Sequence, residues 1–215
     1  MLHCLESTAS PVSNWIVQLR DVEIQKDSAR FRNNIRRISR ALAYEIGKTL
    51  EYKTVDVTTP LAVAKSQVTA DKVVIASILR AALPMHEGFL DVYDDAENAF
   101  LSEYRSYRDD GTFEIKFEYM ACPNIDGKVL LLVDPMLATG ASIVTAVDGL
   151  LRNGKPKKIH FASVISSRKG VDVLQKHFGD DCEIWTAVCD PKINDHGYIV
   201  PGLGDAGDLC FGQKL

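Results

Sequence analysis

Apolar residues recur along this chain in two rhythms, and the rhythms alternate. Across residues 27–50, Phe31, Ile35, Ile38, Leu42 and Ile46 return at steps of three and four, the spacing of one helix face, with Asp27 or Ser28 available as a cap. Val129 to Val133 is instead an unbroken apolar run of strand length, the pattern of a strand covered on both faces of a parallel sheet. The same reading predicts strands over 72–78, 159–165 and 184–188, and helices over 83–93, from the 140s to Arg152, and over 171–178. Asn153-Gly154 and Pro156 stop the second of these helices. Residues 103–120 alternate weakly around Asp109-Asp110-Gly111, which predicts a β-hairpin or extended flap. Strands that alternate with helices predict an α/β fold: a mostly parallel central sheet flanked by helices. We expect one domain over 1–215, with a flap at 103–120 and a small C-terminal loop or hood at 190–215.

The end of the Val129–Val133 run carries the densest chemistry. Asp134 places a carboxylate where the strand should stop, and Thr139, Gly140, Ala141 and Ser142 are small residues leading into helical spacing at Ile143, Val144, Val147, Leu150 and Leu151. Strand, acid, tight loop and helix start together form a phosphate cradle, because the first helical amides and the positive end of the helix dipole face the anion. Asp134 is positioned to accept hydrogen bonds from sugar hydroxyls or water. The stretch is not a Walker A loop, since no Gly-Lys-Ser/Thr follows, and it is not a G-x-G-x-x-G fingerprint. Ligands of open α/β sheets bind beyond the carboxyl ends of the strands, where both Arg80 and Asp134 fall.

A second constellation lies in residues 194–212. Gly197, Gly202, Gly204, Gly207 and Gly212 frame Asp205 and Asp208, with Ile199, Val200, Leu203 and Ala206 mixed in. So much glycine argues against a helix or regular strand. It suits a folded lip whose backbone amides and carbonyls read the edge of a flat heterocycle.

Composition narrows the partners. The 215 residues are 46% hydrophobic and 25% charged, with a formal net charge of −4, as in an ordinary soluble globular protein and unlike one with a broad nucleic-acid surface. No apolar run reaches membrane-spanning length, and no secretory signal pattern opens the chain. Five scattered cysteines without a C-x-x-C pair predict free thiols and a cytoplasmic setting. Arg30, Arg32, Arg36, Arg37 and Arg40 read as a solvated helix face with local ion pairs, and Trp15 and Trp185 as packing residues. The five histidines form no catalytic set; His196, beside the glycine-rich tail, reads as a hydrogen-bonded loop residue.

With both constellations in view, the chain resembles the uracil phosphoribosyltransferases, within the type I phosphoribosyltransferase fold. The matching pieces are Asp134-Pro135-Met136-Leu137-Ala138-Thr139-Gly140-Ala141-Ser142, the run from Gly197 through Tyr198-Ile199-Val200-Pro201-Gly202-Leu203-Gly204-Asp205-Ala206-Gly207-Asp208, and Ile78-Leu79-Arg80-Ala81-Ala82-Leu83. The resemblance implies that Asp134 to Ser142 bind 5-phosphoribosyl-1-pyrophosphate, with the later amides and the Thr139 and Ser142 hydroxyls on the 5′-phosphate and Asp134 on the ribose hydroxyls. It implies that Arg80 and Arg108 meet the pyrophosphate. It implies that Ile199, Gly204, Asp205 and Ala206 contact uracil, and that Asp205 lies near a substrate-borne Mg²⁺, through water rather than as a direct ligand. A homodimer or higher homo-oligomer is implied as well. The chain departs from the family pattern at Ala82 and Ala141, where glycine is common, at Leu209-Cys210, where a basic residue is usual, and at Gln213, where Thr is common. Pro135, where many phosphoribosyltransferases have a second acid, follows the uracil group.

Overall fold

The computed structural model describes residues 1–107 and 113–214, and for 103–107 and 113–118 it describes the backbone alone. In chain order the elements are β1 (Leu2–Cys4), α1 (Pro11–Arg20), α2 (Ser28–Gly47), β2 (Tyr52–Thr58), β3 (Val63–Thr69), β4 (Val73–Leu79), α3 (Leu83–Leu90), β5 (Glu97–Tyr107), β6 (Phe113–Ala121) and β7 (Val129–Val133). They continue as β8 (Met136–Leu137), α4 (Ala141–Leu150), β9 (Lys158–Ser167), α5 (Arg168–Phe178), β10 (Cys182–Asp190), β11 (Lys192–Ile193), β12 (Ile199–Val200) and α6 (Ala206–Phe211).

The central sheet runs β1-β10-β9-β7-β4-β5-β6, with β8 also on β9. Every pairing in it is parallel except β5 with β6. β7 is buried at all five positions, as its unbroken apolar run predicts. Two apolar clusters cover the sheet's faces. Ile75, Leu131 and Val133 join α2 and α3 residues such as Ile38 and Met85 on one side, while Val74, Leu130 and Leu132 join α4 and α5 residues such as Val147 and Leu174 on the other. The side-chain alternation of β4 and β7 therefore sorts neighbours in sequence onto opposite layers.

α2 begins as its pattern predicts: the Asp27 carboxylate accepts from the Arg30 amide at 3.0 Å and caps the helix. Its arginines are more widely engaged than the expected local ion pairs: Arg37 bonds Asn34 within the helix, but Arg36 and Arg40 reach Asp91 after α3 and Arg32 donates to Cys210 O. The expected flap is a hairpin, longer at its base than predicted, since β5 starts at Glu97 and pairs with β4 inside the main sheet. Its turn, with Asp109, Asp110, Gly111 and Arg108, lies outside the described residues.

Three features escaped the periodicity. β1 adds an edge strand and α1 a capped amphipathic helix. The β2–β3 hairpin stands apart from the main sheet, with Leu61 96% exposed at its tip. The glycine-rich tail also differs from expectation: Ile199-Val200 pairs with Lys192-Ile193, and Ala206–Phe211 is a helix. The reason is positional. Gly197, Gly202, Gly204 and Gly212 take positive φ at the bends, and only Gly207 falls inside the helix, which the Asp205 side chain caps through the Asp208 amide at 3.0 Å.

Candidate active site

The candidate phosphate loop, 134–142, is assembled from the sheet outward. β7 ends at Val133, and the Asp134 amide still donates to Ala162 O on β9 at 3.2 Å. One Asp134 carboxylate oxygen accepts the Met136 amide at 3.1 Å, which turns the chain at Pro135. Pro135 O accepts from the Ile165 amide at 3.0 Å, and Met136-Leu137 pairs with Ile165-Ser166. The next carbonyl, Ala138 O, accepts the Ser167 hydroxyl at 2.5 Å, while the same hydroxyl accepts the Gly170 amide and caps α5. Gly140, at φ +80°, then turns the chain into α4, whose first amide, Ala141 N, donates to the Thr139 hydroxyl at 3.4 Å. Thr139 and Ala141 are exposed at this mouth, and Ser142 is half-buried. Ala141 and Ala82 need no unusual backbone, since among the described residues only glycines have positive φ.

Arg80 follows β4, the immediate neighbour of β7, with Ser77 opposite Val133. The Leu79-Arg80 peptide is cis. One Arg80 guanidinium nitrogen donates to Asp208 at 2.8 Å and to Gly212 O at 2.8 Å, so the candidate pyrophosphate arginine rests against α6 and the residues after it. Behind it, the buried Ser77 hydroxyl and His86 Nδ1 lie 2.7 Å apart.

The candidate base loop is built differently. β11 and β12 form a two-residue ladder, the chain bends through Gly202 and Gly204, and α6 closes it. Asp205 uses one oxygen as the α6 cap and has the other 3.3 Å from the Lys214 ammonium. Burial raises its carboxyl pKa most, but the Asp208 amide, Lys214 and the Gly207 amide together outweigh burial and hold it below the usual value. Ile199, Leu203 and Ala206 are buried in the same apolar cluster against which Met136 and Ala138 of the phosphate loop pack. The two glycine-bearing segments, distant in sequence, are therefore rooted in one core, and Arg80 touches the second from a strand beside the first.

Comparison with known proteins agrees with this architecture. The family model described as uracil phosphoribosyltransferase matches residues 7–213. The chain belongs to the uracil phosphoribosyltransferase family. A uracil phosphoribosyltransferase of Porphyromonas gingivalis is 51% identical over 206 residues, covering 96% of this chain and 95% of that protein. One from Methanothermobacter thermautotrophicus is 41% identical over 190 residues, covering 87% and 86%. A solved protein from Aquifex aeolicus superposes with a TM-score of 0.86 at 28% identity, covering 99% of this chain and 98% of that one. A hypoxanthine phosphoribosyltransferase of Staphylococcus aureus, at 12% identity and a TM-score of 0.51 over 75% and 76% of the two chains, shares the fold alone.

Of the residues expected at the site, Arg80, Asp134 to Ser142, Ile199, Gly204, Asp205 and Ala206 are described, and Arg108 is not. Sequence reasoning missed Ser167 and Arg20. Each acts on a loop through its backbone, and neither stands in a motif. The one available signal for Ser167 was its place at the end of a strand, before a helix start.

Proposed function

We propose that this site joins uracil to the ribosyl group of 5-phosphoribosyl-1-pyrophosphate and releases pyrophosphate, giving UMP. The bond from the anomeric carbon to pyrophosphate breaks, the bond from uracil N1 to that carbon forms, and the N1 proton leaves. The observation that carries this reading is Arg80, 2.8 Å from Asp208 of the base loop while following the strand next to the phosphate loop.

Asp134 holds the ribose hydroxyls. Pro135, Met136, Leu137 and Ala138 bring the chain to the Thr139, Gly140, Ala141 and Ser142 segment, whose amides and hydroxyls take the 5′-phosphate. Arg80 and Arg108 neutralise the pyrophosphate as it departs. Backbone groups at Ile199 and from Gly204 to Ala206 read uracil, whose O4 accepts and N3–H donates. Cytosine reverses both, leaving two partners unpaired at about 1–3 kcal/mol each. Holding N1 in line with the anomeric carbon is an orientation effect, and no covalent nucleophile is needed.

Mg²⁺ fits as an ion brought by the diphosphate. Both Asp205 oxygens already have protein partners, which suits contact through water rather than direct ligation. Bound there, the ion supplies further positive charge for the leaving group.

The working unit is a homo-oligomer in the cytoplasm. Tyr52, Val57, Val63 and Val68 on the projecting hairpin are exposed apolar residues in search of a cover, which supports a second copy as partner. No helix in the described residues is long and apolar enough to cross a membrane. A panel of uracil, cytosine, hypoxanthine and guanine with 5-phosphoribosyl-1-pyrophosphate and Mg²⁺ tests the reading. UMP from uracil alone supports it, and product from a purine in place of uracil overturns it.

A further inference from the structure

One ion pair outside the motifs, half-buried at Arg20 and buried at Asp190, grips the base loop from both sides. Arg20 closes α1 and Asp190 closes β10, and the two meet as a fork: Arg20 Nη1 donates to Asp190 Oδ2 at 2.9 Å and Nη2 to Oδ1 at 2.8 Å. Asp190 is only 4% exposed. Arg20 Nη1 also donates to Gly202 O at 3.1 Å, and Asp190 Oδ2 accepts from Gly202 N at 2.8 Å. Both backbone polar groups of Gly202 are thus taken by a single pair. Gly202 has φ +66°, and a Cβ there would lie 2.0 Å from Ile199 O, so the bend admits no side chain.

We propose that Arg20 and Asp190 are positioning residues for base selection, which rests on the reading of this loop as the uracil site. A backbone reads a pyrimidine edge only if its own dihedral angles are fixed, because a displacement of about half an ångström already degrades a hydrogen-bonding constellation. Gly202 lies between Ile199 and the Gly204-Asp205-Ala206 run, so rotation about it would shift one set of base-facing groups against the other. Stability alone does not call for this pair, since an apolar pair of similar volume often holds a buried site as well. An apolar pair cannot donate to Gly202 O and accept from Gly202 N.

The test is steady-state kinetics on the full-length protein and on Arg20→Ala, Arg20→Lys and Asp190→Asn, with KM for uracil and for 5-phosphoribosyl-1-pyrophosphate measured separately and cytosine as competitor. Arg20→Ala and Asp190→Asn are expected to raise the uracil KM about tenfold and to relax uracil-over-cytosine selection by a similar factor, with the other KM changed less than about twofold. Arg20→Lys, which keeps one charged donor, should recover part of the loss. If Arg20→Ala does not fold, Arg20→Lys and Asp190→Asn carry the same comparison at smaller size. Folded variants with unchanged uracil KM and selection, or with both KM values rising together, overturn the proposal. A wild-type protein that makes no UMP instead overturns the functional reading beneath it, so the two failures are distinct.

Discussion

The phosphate loop and the base loop close on one core but are held by opposite means. The phosphate loop is local: 134–142 is one unbroken segment, fastened by sheet-type hydrogen bonds to β9 and by Ser167 at its end. The base loop has little regular structure and is fastened by arginines from far earlier in the chain. Arg20 reaches Gly202, Arg32 reaches Cys210 O at 2.5 Å, and Arg80 reaches Asp208. A loop that must carry a fixed anion cradle gains from a rigid sheet edge. The tail segment pairs only within the two-stranded β11–β12 ladder and has no main-sheet edge to use, so side chains from other elements give it shape. Where anchorage is backbone and local, substitutions in neighbouring residues should have confined effects. Where it is side-chain and remote, single distant changes should be felt at the ligand.

The largest effect should come where the two systems meet. Arg80→Ala removes both the candidate pyrophosphate ligand and the tie to Asp208, and is expected to lower kcat/KM for UMP formation by about a thousandfold, with Asp134→Asn about a hundredfold, while circular dichroism stays unchanged. Wild-type-like turnover by either folded variant would remove that residue from the site. Next in size is a matched pair of glycine changes. A Cβ on Gly202 would lie 2.0 Å from Ile199 O, an impossible approach, whereas one on Gly140, at φ +80°, would be tight at 3.0 Å from the Val173 side chain and 3.2 Å from Gly170 O. Gly202→Ala should cost about 3 kcal/mol or more in chemical denaturation, and Gly140→Ala less, about 2 kcal/mol, the left-handed penalty of about 1–2 kcal/mol with a small addition for the tight contacts. Equal costs would mean that the two bends are equally constrained, and the contrast between the loops would weaken.

The same contrast explains what the sequence made legible. β7, β4, β9, β10 and α2 were readable because burial on both faces, or on one helix stripe, imprints itself on consecutive residues. The phosphate loop was readable because its parts follow one another without interruption. The Ala206–Phe211 helix was not, since a six-residue helix between glycines shows no period, and its cap Asp205 was read for chemistry alone. Arg20 carried no signal at all: its partners lie 170 and 182 positions away, and only the fold brings them together. β2 and β3 were missed because neither buries a face against this chain, which removes the alternation that would have marked them.

A smaller effect probes the phosphate loop's own fastening. Ser167→Ala removes the hydroxyl that donates to Ala138 O and accepts from Gly170 N. Loss of an α5 cap and one loop bond should cost about 1–2 kcal/mol of stability. The loop's remaining ties to β9 are backbone bonds that the variant keeps, so KM for 5-phosphoribosyl-1-pyrophosphate should rise only about two- to fivefold and KM for uracil should hold. A large rise in the uracil KM would show that the base loop depends on this fastening too, and would break the division between local and remote anchorage.

Acid should separate the loops by the smallest margin. Asp205 has its carboxyl pKa held below the ordinary value, because the Asp208 amide, Lys214 and the Gly207 amide outweigh the opposing effect of burial. The sign follows from linkage: a carboxyl depressed on folding contributes stability fully above its unfolded pKa, about 3.9, and loses it as pH falls through the lower folded value. The protonated group is a poorer acceptor for the Asp208 amide and has no charge for Lys214, so α6 loosens at its first turn. By contrast, beyond the turn that the Asp134 carboxylate holds at Met136, the Pro135 and Ala138 carbonyls accept from an amide and a hydroxyl that do not titrate in this range. Amide-exchange protection, corrected for intrinsic rates, should therefore fall earlier for residues 206–212 than for Asp134 and Ile165, whose amides donate to Ala162 O and Pro135 O, as pH drops from about 5 toward about 3. Asp205→Asn keeps an acceptor for the Asp208 amide and removes the titration, so it should narrow that gap while lowering base-loop protection at neutral pH through the lost Lys214 contact. If both loops lose protection together in the wild type and the Asn variant leaves the order unchanged, the remote anchorage of the base loop does not rest on its charges.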